Sequence, residues 1–201
     1  MRCRLLFALV ALVSLALPGV LHAAAAPVAP SKPAASPKPV ASPTPNPTLL
    51  ALSRLSGPAF DKAFMRELIP IHEEAVEIAM AATLHADHTE LLRWNQVMID
   101  RKSGQVRQML AWLQEAGVSP GRRNAGVVTE PVKKMRSLRG AALERAYLPL
   151  IAAHLEWSTA LAGLAAAKAD RQELRGLAQA IVALESREVA RLRAWQKSWY
   201  P

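Results

Sequence analysis

Two histidines within apolar helical patterns are the side chains here best suited to chemistry. His72 follows Pro70 in the stretch FDKAFMRELIPIHEEAVEIAMAA, residues 60–82. His154 lies in a related stretch downstream, near Ile151, Ser158 and Leu161. A neutral imidazole offers one lone-pair nitrogen and is a common transition-metal ligand. Glu185 and Glu188 stand three apart on a later helical pattern and share a face. They could complete a histidine–carboxylate site with His154. The plainer alternative makes each histidine a core or boundary residue bonded to one neighbour.

Other chemistries lack their residues. His72 and Glu73 are followed by Glu74, Ala75 and Val76, so the second histidine of a zinc-protease helix is missing. There is no glycine-rich phosphate loop, no nucleophile elbow and no haem-attachment motif. His85 and His88 straddle a turn, where a solvent-facing role competes with a metal pair. Glu73, Glu74 and Glu77 read as a solvated helix face, and Met80, Met98 and Met109 as core fillers. The single cysteine, Cys3, lies in the first few residues.

Residues 1–26 have the layout of a secretory leader. Arg2 and Arg4 precede an apolar run from Leu5 to Leu17, and small residues follow at 23–26. The run is too short for a lasting membrane span. Removing this leader leaves no cysteine, which excludes thiolate metal sites, cysteine nucleophiles and disulfides. The net charge of +9 falls to +7 with the loss of Arg2 and Arg4, and the basic residues are dispersed. No nucleic-acid motif accompanies them, so a nucleic-acid partner is not expected. The chain is expected to be periplasmic or secreted.

The elements that must position the histidines lie beyond a spacer. Residues 27–48 place proline every few positions among Ala, Ser and Lys, which forbids helix and sheet ladders. Residues 49–201 are rich in Ala, Leu, Arg and Glu, which favour helix. Apolar residues recurring at three- and four-residue steps predict four helices. The first runs from about Ser56 or Pro58 to Leu84 and is kinked by Pro70. The second begins after Asp87 and ends near Gly117. The third covers about Leu138–Lys168, and the fourth starts after Asp170. Asp87 with Glu90, and Asp170 with Glu173, have capping-box spacing. Residues 118–136 form a long basic connection. Two short connections and one long one predict an antiparallel four-helix bundle.

The two halves repeat. A shift of 83 carries Asp87 onto Asp170, Glu90 onto Glu173, Leu91 onto Leu174, Val106 onto Val189 and Trp112 onto Trp195. Each repeat, about 58–117 and 138–201, is therefore a helical hairpin. The shift places Ile71 and His72 on His154 and Leu155, so each half keeps one member of an adjacent pair. The two histidines then differ by about 100° around their helices.

Three motifs make a resemblance specific. They are Phe60-Asp61-Lys62-Ala63-Phe64, Leu68-Ile69-Pro70-Ile71-His72 and Ala75-Val76-Glu77-Ile78-Ala79, with Glu188-Val189 and the Trp195–Tyr200 end in the second half. This pattern resembles the family numbered 305 among the domains of unknown function, mostly exported ferritin-like bundles. The resemblance covers nearly all of residues 58–201. It implies a metal ion, copper above all, held by paired histidines and neighbouring methionines. Imidazole and thioether donors suit copper. The family's first histidine is here Ile71, and its helix-2 glutamine and glutamate are Lys102 and Gln105. Met109 is retained, and Glu185, Glu188 and Leu192 stand at the matching positions of the second half.

The spacing and the repeat predict an all-α, antiparallel four-helix bundle of two repeated hairpins, and the resemblance implies that it is ferritin-like. Its candidate metal ligands are His72, His154, Glu185, Glu188 and Met109, with copper as the expected ion. The expected role is binding without catalysis, since a di-iron oxidase would need Glu-x-x-His pairs that are absent. The alternative is a structural or protein-interaction module whose metal site has decayed.

Overall fold

The computed structural model describes residues 46–201. The expected leader and nearly all of the spacer fall outside the described residues. Within them the chain is all-helical. Four long helices follow the expected order: α2 (Gly57–Thr83), α3 (Thr89–Glu115), α5 (Gly140–Lys168) and α6 (Gln172–Trp199). Two short helices were not foreseen. In α1 (Pro47–Ser53), the Asn46 side-chain oxygen accepts the N–H groups of Thr48 and Leu49 at 2.9 and 3.4 Å. Proline in the first helical turn and a capping Asn are enough to start a helix at Pro47, one residue before the expected end of the spacer. Within the long connection, α4 (Glu130–Ser137) buries Val132 and Met135, three residues apart, and packs on α2.

Short connections make α2–α3 and α5–α6 hairpins, and α2 packs against α5. This arrangement is compatible with the expected four-helix bundle. The core has two apolar clusters. One joins Phe60, Phe64 and Leu68 to Met109, Leu113, Leu161 and Leu174. The other joins Ile78 and Ala82 to Leu91, Met98, Tyr147, Ile151, Leu155 and Leu192. The start of α2 thus meets the end of α5, so these helices run antiparallel. Helix α5 is the one described helix long and apolar enough to cross a membrane. Its Leu143, Tyr147, Ile151, Leu155 and Leu161 are buried in the core.

The expected capping boxes do not form. His88 and Arg171 are the N-caps of α3 and α6, and neither makes a side-chain capping bond. The opposite hairpin supplies the acceptor instead. Asp61 on α2 accepts the Asp170 and Arg171 N–H groups at 2.9 and 2.8 Å. Glu144 on α5 accepts the Asp87 and His88 N–H groups at 2.7 and 2.8 Å. Residues 61 and 144 are 83 apart, as are 87 and 170, and 88 and 171. The two clamps are therefore repeat-equivalent and crossed, and each ties one hairpin's turn to the other hairpin's first helix. A carboxylate facing free N–H groups at a helix start is favoured by charge and by hydrogen bonding.

The helices that carry these acids begin alike. Gly57 and Gly140, also 83 apart, open α2 and α5 with φ of +57° and +52°. A Cβ on Gly57 would touch nothing within 4 Å, whereas one on Gly140 would stand 2.7 Å from Asp87 Oδ2. Gly57→Ala is expected to lose about 1–2 kcal/mol from the left-handed backbone alone. Gly140→Ala is expected to lose measurably more, because it also displaces Asp87 beside the Glu144 clamp. Urea denaturation of both variants checks the order.

Candidate functional site

Between the two apolar clusters each long helix contributes one fully buried polar side chain. These are His72 from α2, Lys102 from α3, Ser158 from α5 and Glu185 from α6. Lys102 Nζ donates to Glu185 Oε1 at 2.6 Å, with both side chains 1% exposed. Ser158 Oγ donates to Glu185 Oε2. His72 Nε2 lies 3.9 Å from Glu185 Oε1, beyond hydrogen-bond range. Among the described residues neither of the buried His72 ring nitrogens has a hydrogen-bond partner. Arg101, the residue before Lys102, donates to Glu188 Oε2 at 2.7 Å, one turn beyond Glu185 on α6. Lys102 and Glu185 are 83 apart and therefore repeat-equivalent. Where the hairpins meet, one repeat presents an ammonium and the other a carboxylate.

Burial sets the protonation of this layer. Burial, followed by the charges of Lys102 and Arg101, pushes the His72 ring well below its ordinary value of 6.5. His72 is thus a neutral imidazole at physiological pH. Burial also pulls Lys102 down from 10.5, against the attraction and hydrogen bond of Glu185. Burial raises the Glu188 carboxyl, with Arg101 opposing.

The five expected ligands are not brought to one point. His72 and Glu185 are neighbours, but both Glu185 oxygens are engaged. Glu188 is held by Arg101. Met109 is buried in the apolar cluster with Phe64 and Leu113. His154 lines a surface cavity of about 390 Å³ with Glu74, Arg66, Arg122, Asn124 and Trp157. Burial lowers its basicity, while Glu74 opposes and Lys102 adds to the effect. Among the described residues no three His, Cys, Asp or Glu side chains are grouped to hold a metal ion. The donor set as arranged does not fit a metal: His154 and Met109 lie away from Glu185, in a surface cavity and an apolar cluster, and His72 faces a layer that already carries the cations Lys102 and Arg101.

Three smaller readings change. His88 is not paired with His85. Its ring stacks on Trp199 at 3.8 Å and bonds the Glu144 carboxylate. Met80 is 51% exposed rather than a core filler. Glu73 is buried, not solvated. It accepts the Arg123 Nε–H at 2.5 Å and the Asn124 and Ala125 N–H groups at 2.6 and 3.2 Å. Glu77 accepts the Gly126 N–H at 2.7 Å, and Asn124 Nδ2 donates to the Pro70 carbonyl at 3.0 Å. Acidic residues of α2 thus pin the basic 122–126 segment. Glu73→Ala is expected to accelerate tryptic cleavage after Arg122 and Arg123 by roughly tenfold, as the freed N–H groups lose about 1–3 kcal/mol of local anchoring. Timed digestion followed by mass spectrometry reads this.

Paired helical hairpins joined across a polar mid-layer define a two-repeat, all-helical bundle protein. The chain belongs to the family described as Domain of unknown function (DUF305), whose sequence profile matches residues 23–113 and 115–199. The fold is similar to CopM in its Cu(I)-bound form, with a TM-score of 0.63 and 20% identity over 70% of this chain and 98% of CopM. For CopM in an Ag-bound form obtained by soaking, the TM-score is 0.59 at 20% identity, over 70% and 97% of the two chains. A DUF305 protein from Streptomyces coelicolor gives 0.60 at 21% identity, over 66% of this chain and 88% of that one. No curated protein matches the sequence significantly.

Proposed function

We propose that this chain is an exported, non-catalytic binding module that acts through its surfaces, with the bundle interior closed to metal ions. The Lys102–Glu185 pair carries the reading. A metal cation in the polar layer would stand beside Lys102 and Arg101, where like charges repel strongly at low dielectric. It would also have to displace Lys102 or Ser158 to reach Glu185. Export is inferred from the leader pattern of residues 1–26. The exposed basic residues Arg122, Lys133, Lys134 and Arg136 suit an anionic partner or envelope surface.

A second reading is transition-metal binding, copper first, with His72 as the anchoring ligand. Two observations favour it: the unpartnered His72 nitrogens, and the likeness of the fold to CopM, which binds Cu(I) and Ag. Titration of the purified protein with Cu(I), Cu(II) and Zn(II), beside His72→Ala and His154→Ala, separates the two. The closed-interior reading expects no binding tighter than about micromolar that either substitution removes. Tight Cu(I) binding lost in His72→Ala establishes the second reading and overturns the first.

A further inference from the structure

We propose that the Lys102 ammonium is a built-in cation standing where the polar layer would otherwise take a metal ion, and that withdrawing its charge uncovers a site for a borderline divalent cation on His72 and Glu185. This deepens the closed-interior reading and rests on it.

Position is the first argument. Lys102 Nζ sits in a layer fed by all four long helices, between two apolar clusters. It pairs with its own repeat-equivalent, Glu185, so the charge lies where the halves meet, the place a ligand shared by both would occupy. The second argument is His72. A buried imidazole ordinarily bonds a neighbour, yet both nitrogens here lack one, while Nε2 faces the oxygen that Lys102 holds, 3.9 Å away. Zinc-like ions take nitrogen and carboxylate oxygen at about 2.0–2.2 Å. Two donors at the His72–Glu185 separation can therefore share one ion, once the ammonium bonded 2.6 Å from Glu185 Oε1 is gone. The third argument is charge. Glu185 is a buried carboxylate and needs a cation beside it. Lysine meets that need from within the chain, and a bound ion meets it from outside. Imidazole with carboxylate is a donor set for Zn(II) or Cu(II).

The test titrates the purified protein with ZnCl₂, and separately with Cu(II), by calorimetry and thermal shift. The wild type is compared with Lys102→Gln, which retains a donor to Glu185 without its charge, and with Lys102→His. Both variants are expected to bind one equivalent of Zn(II) at least 100-fold more tightly than the wild type, and to melt several degrees higher with metal than without. Adding His72→Ala to Lys102→Gln is expected to abolish the gain. A variant unfolded without metal that regains its helical circular dichroism on adding Zn(II) also supports the proposal. Variants that stay unfolded with metal, or that bind no better than a silent wild type, overturn it and leave the closed-interior reading standing. A gain that survives His72→Ala overturns it too. His72-dependent binding by the wild type overturns both.

Discussion

Replacing Lys102 with methionine is expected to destabilise the bundle by about 3–5 kcal/mol, because removing one partner of a buried ion pair leaves the other charge uncompensated. At roughly 2–4 °C per kcal/mol for a domain of this size, the melting temperature should fall by about 6–20 °C. The methionine is apolar and of similar length, so little of the loss can come from a cavity. Glu185 keeps the Ser158 hydroxyl but loses the one cationic partner it has at bonding distance among the described residues. The decisive comparison is the double variant Lys102→Met, Glu185→Leu. Taking both charges out also removes their desolvation, and such replacements are often neutral or stabilising. The double variant is therefore expected to recover most of the single variant's loss. Equilibrium urea unfolding followed by circular dichroism measures all three proteins. A double variant as unstable as the single one would mean that packing, rather than an unpaired charge, sets the cost.

A layer that is costly to break singly and replaceable as a pair, as these variants are expected to show, would serve alignment rather than strength. Two apolar clusters by themselves would tolerate a slip of one hairpin against the other. A lysine that must meet a glutamate, with an arginine meeting a second glutamate one turn on, permits one register.

How much of this was readable from the residues depends on which interactions are local. The four long helices were legible from apolar spacing, because burial of a helix face writes a period into the chain. The repeat was legible too, and its 83-residue offset already placed Lys102 opposite Glu185. That complementarity was the available signal for the ion pair. Set against a ligand pattern the two positions read as departures, and only set against each other do they read as a pair. The caps were misassigned for a related reason. Asp87 and Asp170 have capping-box spacing, but the acceptors that bind those turns come from residues 57 and 109 positions away. Local spacing carries no record of a partner on another hairpin. Glu73 has the same history: its neighbours on α2 suggest a solvated face, and only the folding back of residues 123–125 buries it. Helix α4 was missed because eight residues hold barely two apolar anchors, too few to establish a period.

Glu144→Ala is expected to be the most damaging substitution outside the polar layer, costing roughly 3 kcal/mol as several donors lose one charged acceptor. Besides the Asp87 and His88 N–H groups, the carboxylate binds the His88 ring and the Tyr200 hydroxyl. The loss therefore loosens the α2–α3 turn and the chain terminus together. Its pH dependence identifies the cause. Burial alone would raise this carboxyl, but the bonds from the His88 N–H, Tyr200, the His88 ring and the Asp87 N–H outweigh it and hold the group below its ordinary 4.5. Below that ordinary value the unfolded chain takes up a proton that the folded chain still refuses, so acid favours unfolding. Glu144's contribution is thus fully present above its ordinary range and drains away as the pH falls through its depressed folded value. Urea unfolding at several pH values should show a constant gap between wild type and Glu144→Ala near neutrality, narrowing below about pH 4.5. A gap that stays constant through the acid range would assign the loss to packing instead of to the charged clamp. Asp61→Ala, which removes the repeat-equivalent clamp with its two N–H donors, is expected to cost about 1–3 kcal/mol. The order of the two variants then follows from the number of donors each acid holds.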